Sequence, residues 1–357
     1  MKNPWNEPIP RRSACGTLAK TLLAAAAPWA GAPGVALAQS GSASRSVPPA
    51  EWGRIVDAAK KEGSATIYSA QGLVLLNELG DRFKKEFGIT LKVVRAGDFE
   101  SWPKVDAEFS TGRGIADIFV AADEGVVRDR HGKGYSVAPK GPSFDNPVYD
   151  RARRIPMGTF FETNAFVSAY AWNKELFPSG LKDYPDMLRP DLAGKIGIPN
   201  ATTPTFVDFY MYLEANYGTD FLTKLAALRP RLYPGALPLG QAVASGEVSV
   251  AAYGQPLVDE QKKGAPVEWA LPRKVWGARF WGQILKTAPN PNAAQVLANF
   301  IVTQSGQEAL ARLTASVLPN VTGSLTTTTD VHRQDLSKLT PDAVKAYQER
   351  WRGMFIR

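Results

Sequence analysis

The sequence predicts an α/β protein of two lobes, each with a mainly parallel β-sheet flanked by helices. The first observation is that short β-branched or aromatic runs alternate with amphipathic stretches of helical spacing along most of the chain. This alternation is typical of strand–helix–strand units, in which the strands are parallel and the crossovers right-handed. The second observation is length. Once an N-terminal export signal is removed, about 320 residues remain, and chains of that size usually divide into two domains.

The N-terminal segment has the features of a cleavable export signal. Arg11 and Arg12 form a basic region, residues 22–37 are Ala-rich and apolar, and Ala38 ends a small-residue cleavage motif. We therefore expect residues 1–38 to be removed as a signal peptide and the mature chain to be exported. The arginine pair is also typical of the twin-arginine route, but Ala14 stands where that motif prefers a bulky apolar residue. The twin-arginine and general secretory routes both stay open.

The amino-acid composition and the charge exclude several classes of function. The single cysteine, Cys15, lies inside the signal, so the mature chain has no disulfide, no cysteine nucleophile and no thiolate metal site. The formal net charge is +8, yet the lysines and arginines form no dense stripe with interleaved aromatic residues. A mild basic excess favours anionic solutes weakly, and we expect no nucleic-acid partner.

The first lobe is predicted from a regular succession of elements. Trp52, Ile55 and Val56 recur at helical spacing, and the run that follows Gly63 is rich in β-branched and aromatic residues. The same patterns predict helices over 52–62, 73–87 and 101–110, and strands over 64–70, 89–94 and 116–121. Ligands of such sheets bind beyond the carboxyl ends of the strands. The loops at 69–71, 95–102 and 121–124 are therefore expected to contribute to a site.

A second unit is predicted after the irregular, Pro- and Gly-rich residues 138–147. The patterns predict strands over 166–173 and 195–200. Thr203 and Pro204 form a strong helix start, because a hydroxyl N-cap is followed by proline in the first turn. Residues 242–254 predict a helix, a Gly-Glu turn and a further strand.

Several of these segments together resemble one family. They include Ala59-Lys60-Lys61-Glu62-Gly63 before the first strand, the strand that ends at Asn173-Lys174, and the turn Gly246-Glu247-Val248. In their order and spacing over residues 50–320, they are similar to the extracellular solute-binding proteins of ABC importers, in the ferric-ion-binding-protein-like branch.

This resemblance implies a type II periplasmic-binding-protein fold, in which two crossover segments, 158–167 and 265–276, join the lobes as a hinge. It assigns residues 39–160 to the first part of lobe 1, 161–268 to lobe 2, and 269–357 to the return to lobe 1 and the C-terminal helices. It further implies a periplasmic monomer that captures a small solute and delivers it to an ABC transporter permease in the inner membrane.

Enzymatic motifs are missing from the sequence. It has no Gly-x-Ser-x-Gly elbow, no His-Glu-x-x-His and no Walker-type glycine loop. His131 and His332 are the only histidines, and both are interpreted as solvated surface residues. We therefore expect no catalytic residues and no cofactor. A carboxylate-dependent secreted hydrolase stays open as an alternative of another class, because pairs of Asp and Glu are too common to test by sequence.

The resemblance to ferric-binding proteins does not extend to the tyrosine pair that binds iron in them. Ferric-binding relatives hold iron with adjacent tyrosines after the second-lobe strand that follows Gly-Glu-Val, because Fe(III) prefers anionic oxygen ligands. Here the paired position falls near Pro256 and Leu257, and Tyr253 is a lone tyrosine. Tyr210 and Tyr212 point in different directions from one helix. No metal site is therefore expected, and Fe(III) is kept as an alternative ligand.

A small anionic or zwitterionic organic solute is the favoured ligand. Helix N-termini carry unpaired N–H groups that suit anions, and an arginine such as Arg95 adds a bidentate guanidinium. Asp123, together with Glu124, instead favours a cationic amine such as a polyamine or a thiamine-like ligand, which is the subordinate alternative. The predicted ligand-binding residues are Ser69, Gln71, Arg95, Ser101, Trp102, Asp123, Thr202, Thr203, Tyr253 and Gln255.

Overall fold

The computed structural model describes residues 47–356, so the predicted signal peptide lies outside the described residues. Within them the strands are β1 (Ser64–Ser69), β2 (Thr90–Arg95), β3 (Ile118–Ala121), β4 (Ser136–Val137), β5 (Phe160–Val167), β6 (Tyr170–Asn173), β7 (Ile196–Pro199), β8 (Arg231–Tyr233), β9 (Val250–Ala251), β10 (Val267–Ala270), β11 (Gly277–Leu285), β12 (Ala315–Ser316) and β13 (Thr326–Thr327). The helices are α1 (Pro49–Glu62), α2 (Leu73–Phe87), α3 (Asp98–Thr111), α4 (Glu124–Gly132), α5 (Arg151–Arg154), α6 (Pro204–Tyr217), α7 (Phe221–Ala227), α8 (Ala236–Ala244), α9 (Val258–Lys262), α10 (Pro291–Ile301), α11 (Gln304–Leu310) and α12 (Pro341–Phe355).

The strands form two sheets, one in each lobe. The first has the order β13-β12-β5-β11-β3-β1-β2, with β4 also paired to β11, and the second has the order β10-β6-β9-β7-β8. In each lobe, several of the predicted strands pair in parallel. In the first sheet β1 pairs with β2 and β3, and in the second β7 pairs with β8 and β9. Both sheets are nevertheless mixed, because β5, β6, β10 and β11, which carry the chain between the lobes, pair antiparallel.

Local sequence signals account for the helices that frame the cleft. The helix predicted over 73–87 is α2, with the same bounds, and it ends at Gly88 in the left-handed conformation (φ 75°) that glycine adopts without a steric penalty. The predicted N-cap of α6 is confirmed, since the Thr203 hydroxyl accepts a hydrogen bond from the backbone N–H of Phe206. Helix α3 begins at Asp98, earlier than predicted.

Each segment in which the chain crosses from one lobe to the other is called a passage. The first passage lies at a different position from the predicted one. The run 166–173, predicted as one strand, is divided between β5 in the first sheet and β6 in the second. The chain changes sheet at Ser168 and Ala169, whose N–H groups donate to the carbonyls of Trp276 and Gly254. Most of residues 158–167, the first predicted hinge segment, form β5 between β11 and β12, and the predicted boundary at 160/161 falls inside this strand.

The second passage, between β10 and β11, falls inside the predicted segment 265–276. A third passage was not predicted. After β13 in the first sheet the chain returns to the second lobe, where α12 packs on α6 and α7. The Arg279 guanidinium of β11 holds this third passage by donating to the carbonyl oxygens of Thr328, Val331 and His332.

Each lobe has its own hydrophobic core. Helices α1, α2, α10 and α11 bury apolar side chains against the first sheet, and a smaller cluster around Trp102 and Phe119 fills its other face. The second-lobe core is rich in aromatic residues and extends to Trp276 in the second passage and Trp351 in α12. Among residues 47–356 no helix is both long and apolar enough to cross a membrane.

Candidate functional site

Two of the cavities formed by residues 47–356 lie in the cleft between the lobes. The first, of about 250 Å³, is called here the Arg312 cavity. The first lobe contributes the start of α2 and residues 312–314, and the second lobe contributes the start of α8 and residues 255–260. Because its walls come from both lobes, a molecule held there contacts both at once.

Arg312 is the notable side chain of this cavity. Its Nε is buried and has no hydrogen-bond partner, and among residues 47–356 its guanidinium makes no ion pair. The next residue, Leu313, has φ 59°, a left-handed conformation that costs a non-glycine residue roughly 1–2 kcal/mol. This sharp turn between α11 and β12 places Arg312 and Thr314 on the cavity surface. Strain of this kind is frequent at ligand sites.

Two helix N-termini reinforce the positive charge. Helices α2 and α8 begin after Gly72 and Gly235, neither of which supplies a side-chain cap, so the first-turn N–H groups have no capping oxygen. Residues of both first turns, including Leu73 and Leu237, line the Arg312 cavity. The two helices come from opposite lobes, and the positive end of each helix dipole favours an anion.

The second-lobe wall also carries negative charge. Asp259 and Glu260, at the start of α9, line the Arg312 cavity beside Gln255. Within the described chain neither carboxylate is ion-paired. A solute with both an anionic group and hydrogen-bond donors, such as a zwitterion, therefore matches both walls.

The second cavity, of about 580 Å³, is called the Leu339 cavity. It lies between the N-termini of α4 and α6 and the third passage, and it is lined partly by polar groups such as Asp123 and Arg130. Most of the remaining lining is apolar: Val126, Pro204, Leu336, Leu339, Pro341 and Val344.

The predicted site residues are divided by the fold. Gln255 lines the Arg312 cavity, and Asp123 lines the Leu339 cavity. Thr203 caps α6 directly before Pro204 of the Leu339 cavity, and Thr202 beside it is exposed. Arg95 is exposed at the end of β2 and lines neither cavity, whereas Arg312, which was not predicted, lines the first of them.

Four predicted residues have internal roles instead. The Ser69 hydroxyl accepts a hydrogen bond from the Gln71 N–H, and the Gln71 side-chain amide donates to Asn164 Oδ1 at 2.6 Å. Ser101 is buried within α3. Trp102 packs edge-on against Phe119, with its ring centroid 4.4 Å away, and so belongs to the first-lobe core.

Tyr253 lies between the two cavities among aromatic rings. Its ring centroid is 5.5 Å from that of Phe166, 5.3 Å from that of Phe206 and 5.7 Å from that of Trp276. Burial raises the pKa of its hydroxyl, which opposes formation of a phenolate. Among residues 47–356 no three His, Cys, Asp or Glu side chains form a group that could hold a metal ion.

Both histidines, predicted as solvated, are partly buried. His131 contacts the Thr159 hydroxyl, and His332 Nε2 lies 3.6 Å from the buried carboxylate of Asp208. No local sequence pattern indicated these contacts, because they depend on elements far apart in the chain.

Asp98 and Asp123 form a carboxylate pair beside the Leu339 cavity. Asp98 Oδ2 accepts hydrogen bonds from the N–H groups of Ala122, at 2.7 Å, and Asp123, at 3.2 Å, while Asp123 Oδ1 accepts from Val126. Burial, with a smaller contribution from the Asp123 charge, raises the pKa of Asp98 to about 6, and burial also raises that of Asp123. The hydrogen bonds show that the pair orders the loop after β3.

Asp98→Asn is expected to stabilise the protein at pH 7.5. The folded-state pKa of Asp98 lies above its usual value of 3.8, so ionisation of this carboxyl costs stability as pH rises, and the full cost is present above about pH 6. Asparagine keeps an acceptor oxygen without the charge. A shift of about two units corresponds to roughly 3 kcal/mol, which denaturant unfolding between pH 4 and 8 measures as a gain that disappears at pH 4.

Asp129→Asn is the matched control. Lys133 lowers the pKa of that exposed carboxyl, so its substitution is expected to change stability in the opposite direction and only slightly. A gain in Asp98→Asn that is the same at pH 4 and pH 7.5 would contradict the electrostatic explanation.

Comparison with known proteins agrees with this architecture. The chain is similar in structure to a substrate-binding protein of an ABC transporter from Agrobacterium tumefaciens, with a TM-score of 0.68, 16% identity, and coverage of 84% of this chain and 97% of that one. Iron-bound HitA from Pseudomonas aeruginosa matches with a TM-score of 0.64, 16% identity, and coverage of 81% and 99%. AfuA from Actinobacillus pleuropneumoniae, with fructose-6-phosphate bound, matches with a TM-score of 0.60, 19% identity, and coverage of 82% and 98%.

These likenesses confirm the predicted two-lobed periplasmic-binding-protein fold. No curated protein sequence matches the chain. The model of the family described as bacterial extracellular solute-binding protein matches residues 65–312, which is more than half of the chain. The resemblance noted in the sequence is thereby confirmed, and the chain belongs to the family of bacterial extracellular solute-binding proteins.

Proposed function

We propose that the protein is the periplasmic substrate-binding component of an ABC importer and that it captures a small anionic or zwitterionic organic solute in the Arg312 cavity. The observation that carries the proposal is the unpaired Arg312 guanidinium in a cavity shared by both lobes. The structural neighbours lend support, since one is a substrate-binding protein of an ABC transporter and another has fructose-6-phosphate, an organic anion, bound. The permease of the same transporter would receive the solute.

Capture would proceed by closure of the lobes. A solute anchored by Arg312 and the N-terminus of α2 in the first lobe also reaches the N-terminus of α8 and Gln255 in the second. Since its contacts extend to both lobes, such a solute stabilises the closed arrangement over the open one. This function needs no covalent chemistry, and it assigns no catalytic role to the Asp98 and Asp123 carboxylates, which order a loop.

The alternative ligands have weaker support. Fe(III) prefers several anionic oxygen ligands, whereas Tyr253 is a single tyrosine among aromatic rings with a raised pKa. A cationic amine would need free carboxylates. Among residues 47–356, Asp259 and Glu260 are free at the Arg312 cavity, but the unpaired Arg312 guanidinium and the positive ends of α2 and α8 in the same cavity oppose a cation. At the Leu339 cavity the acidic side chains are engaged within the protein. There, Asp123 caps α4, and Asp129 is paired with Lys133 and Arg130.

Arg312→Gln is expected to weaken binding of the solute by about 10- to 100-fold, because a hydrogen bond to a charged group contributes about 1.5–3 kcal/mol. The assay screens sugar phosphates, phosphonates, sulfonates and carboxylates by thermal shift. A bound solute at a hundredfold excess over its Kd stabilises the protein by about 2.7 kcal/mol. Calorimetric titration of each hit then compares wild type and variant.

Arg95→Gln is the matched control, because it removes an exposed arginine that lines neither cavity. It is expected to bind every hit as tightly as wild type. Equal losses in both variants would show that Arg312 acts only through overall charge. Hits confined to polyamines or other cations would contradict the proposed solute class.

A further inference from the structure

A row of three aromatic side chains extends from the Arg312 cavity to the edge of the Leu339 cavity. Phe166, half-buried at the end of β5, lines the Arg312 cavity. Phe206 is half-buried in the first turn of α6 and follows Thr205, which lines the Leu339 cavity. Tyr253 contacts both rings, with centroid distances of 5.5 Å to Phe166 and 5.3 Å to Phe206. Tyr253 is itself buried, so the aromatic surface of this row that a ligand can reach belongs to Phe166 and Phe206.

The polarity of the cleft changes along this row. One end carries the unpaired Arg312 guanidinium and the uncapped N-termini of α2 and α8. The other end opens into the larger Leu339 cavity, whose apolar side chains come from α4, the start of α6, the third passage and α12. The Arg312 end therefore stabilises the anionic head group of a ligand. The Leu339 end buries the largest apolar surface of its body away from water.

Buried aromatic residues of the second-lobe core support this row from behind. Trp276 lies behind Tyr253 at a centroid distance of 5.7 Å, fully buried, and its indole N–H donates to the carboxylate of Asp208 at 2.8 Å. Phe209 packs against both Tyr253 and Trp276, at 5.1 and 5.2 Å. Tyr253 is thereby held as a buried support for the half-buried Phe166 and Phe206 rings, whose exposed surface meets a ligand at little entropic cost.

We infer that the solute is an amphiphilic organic anion, with a carboxylate, phosphonate or sulfonate head at Arg312 and an aromatic or apolar body on the Phe166 and Phe206 rings that ends in the Leu339 cavity. This inference rests on the proposed function, since it assigns the body of the solute whose head Arg312 binds. The inferred solute class excludes a polyhydroxylated anion, because such a ligand would need polar side chains between the two cavities.

The test uses matched probes that differ in one feature. 4-Phenylbutyrate and 6-phenylhexanoate carry the head and a body long enough to extend from Arg312 past Phe166, acetate and gluconate carry the head without an aromatic body, fructose-6-phosphate is a polyhydroxylated anion, and phenethylamine has an aromatic body with a cationic head. Thermal shift followed by calorimetric titration is expected to show binding of the two aryl carboxylates at least about tenfold tighter than that of acetate or gluconate, as burial of one aromatic ring predicts.

Two cleft variants test the location of the body. Phe206→Ala and Leu339→Gln are each expected to weaken aryl carboxylate binding about tenfold, whereas Leu176→Gln, at an exposed leucine that lines neither cavity, leaves it unchanged. If Phe206→Ala fails to fold, the Leu339→Gln result and the probe comparison decide the matter alone.

The outcomes separate this inference from the proposed function. Tight binding of gluconate or fructose-6-phosphate that is lost in Arg312→Gln, with no preference for aryl carboxylates, overturns the amphiphilic class and leaves the anion site in place. Aryl carboxylate binding that survives Phe206→Ala and Leu339→Gln places the body elsewhere and overturns the inference. Binding of phenethylamine alone, or of none of the probes, contradicts both the class inferred here and the proposed head group.

Discussion

Glu162→Ala is expected to lower the free energy of unfolding by about 3–5 kcal/mol, which is the usual cost of removing one partner from a buried ion pair. Arg154 Nη1 donates to Glu162 Oε2 at 3.0 Å, and Arg279 Nε lies 3.0 Å from Oε1 as an ion pair without a well-directed hydrogen bond. All three side chains are buried, so the substitution leaves two guanidinium groups without a counter-charge. Burial already lowers the pKa of Arg279.

The effect is expected to reach beyond the first sheet, because Arg154 and Arg279 also bind Thr328 at the start of the third passage. Urea unfolding followed by circular dichroism measures the change. Glu308→Ala is the matched control, since Glu308 forms an ion pair with Arg82 at 2.9 Å in which both side chains are about one-third exposed, and such a pair contributes about 0–1 kcal/mol. Equal changes in the two variants would show that the Glu162 cluster contributes no more than a surface pair.

Trp276→Ala is expected to destabilise the protein by about 3–5 kcal/mol, as is usual when a buried aromatic side chain is truncated in a packed core. Trp276 is fully buried where the second passage meets the second-lobe core, and it contacts Phe209 and Tyr253. Its loss opens a cavity and also leaves the buried Asp208 carboxylate without the indole donor. Chemical unfolding monitored by circular dichroism gives the free-energy difference.

Phe99→Ala is the control for this substitution. Phe99 is also aromatic, but it is 94% exposed at the start of α3, and surface changes usually remain within about 0.5 kcal/mol. A loss below 1 kcal/mol in Trp276→Ala would show that the aromatic core relaxes around the missing ring. It would also weaken the view that Trp276 gives Tyr253 a rigid backing.

Features that depend on neighbouring residues could be predicted from the sequence. The apolar spacing from Leu73 to Phe87 and the glycine that follows define α2, and the hydroxyl and proline at Thr203 and Pro204 define the start of α6. Both signals act over a few residues, through side-chain periodicity and through capping of free N–H groups. The order of such elements was enough to identify the family and the two-lobed fold.

The tertiary structure decided which loops meet. Arg95 ends β2 and Arg312 follows α11, but only Arg312 lies in the cleft, because α11 packs on α2 and the left-handed turn at Leu313 directs the chain there. The change of sheet at Ser168 depends on hydrogen bonds to Trp276 and Gly254, which are far away in sequence. Local periodicity therefore determined the elements and the family of this chain. The position of the charged cavity and the three passages depended on long-range packing, whose partners no local pattern identifies.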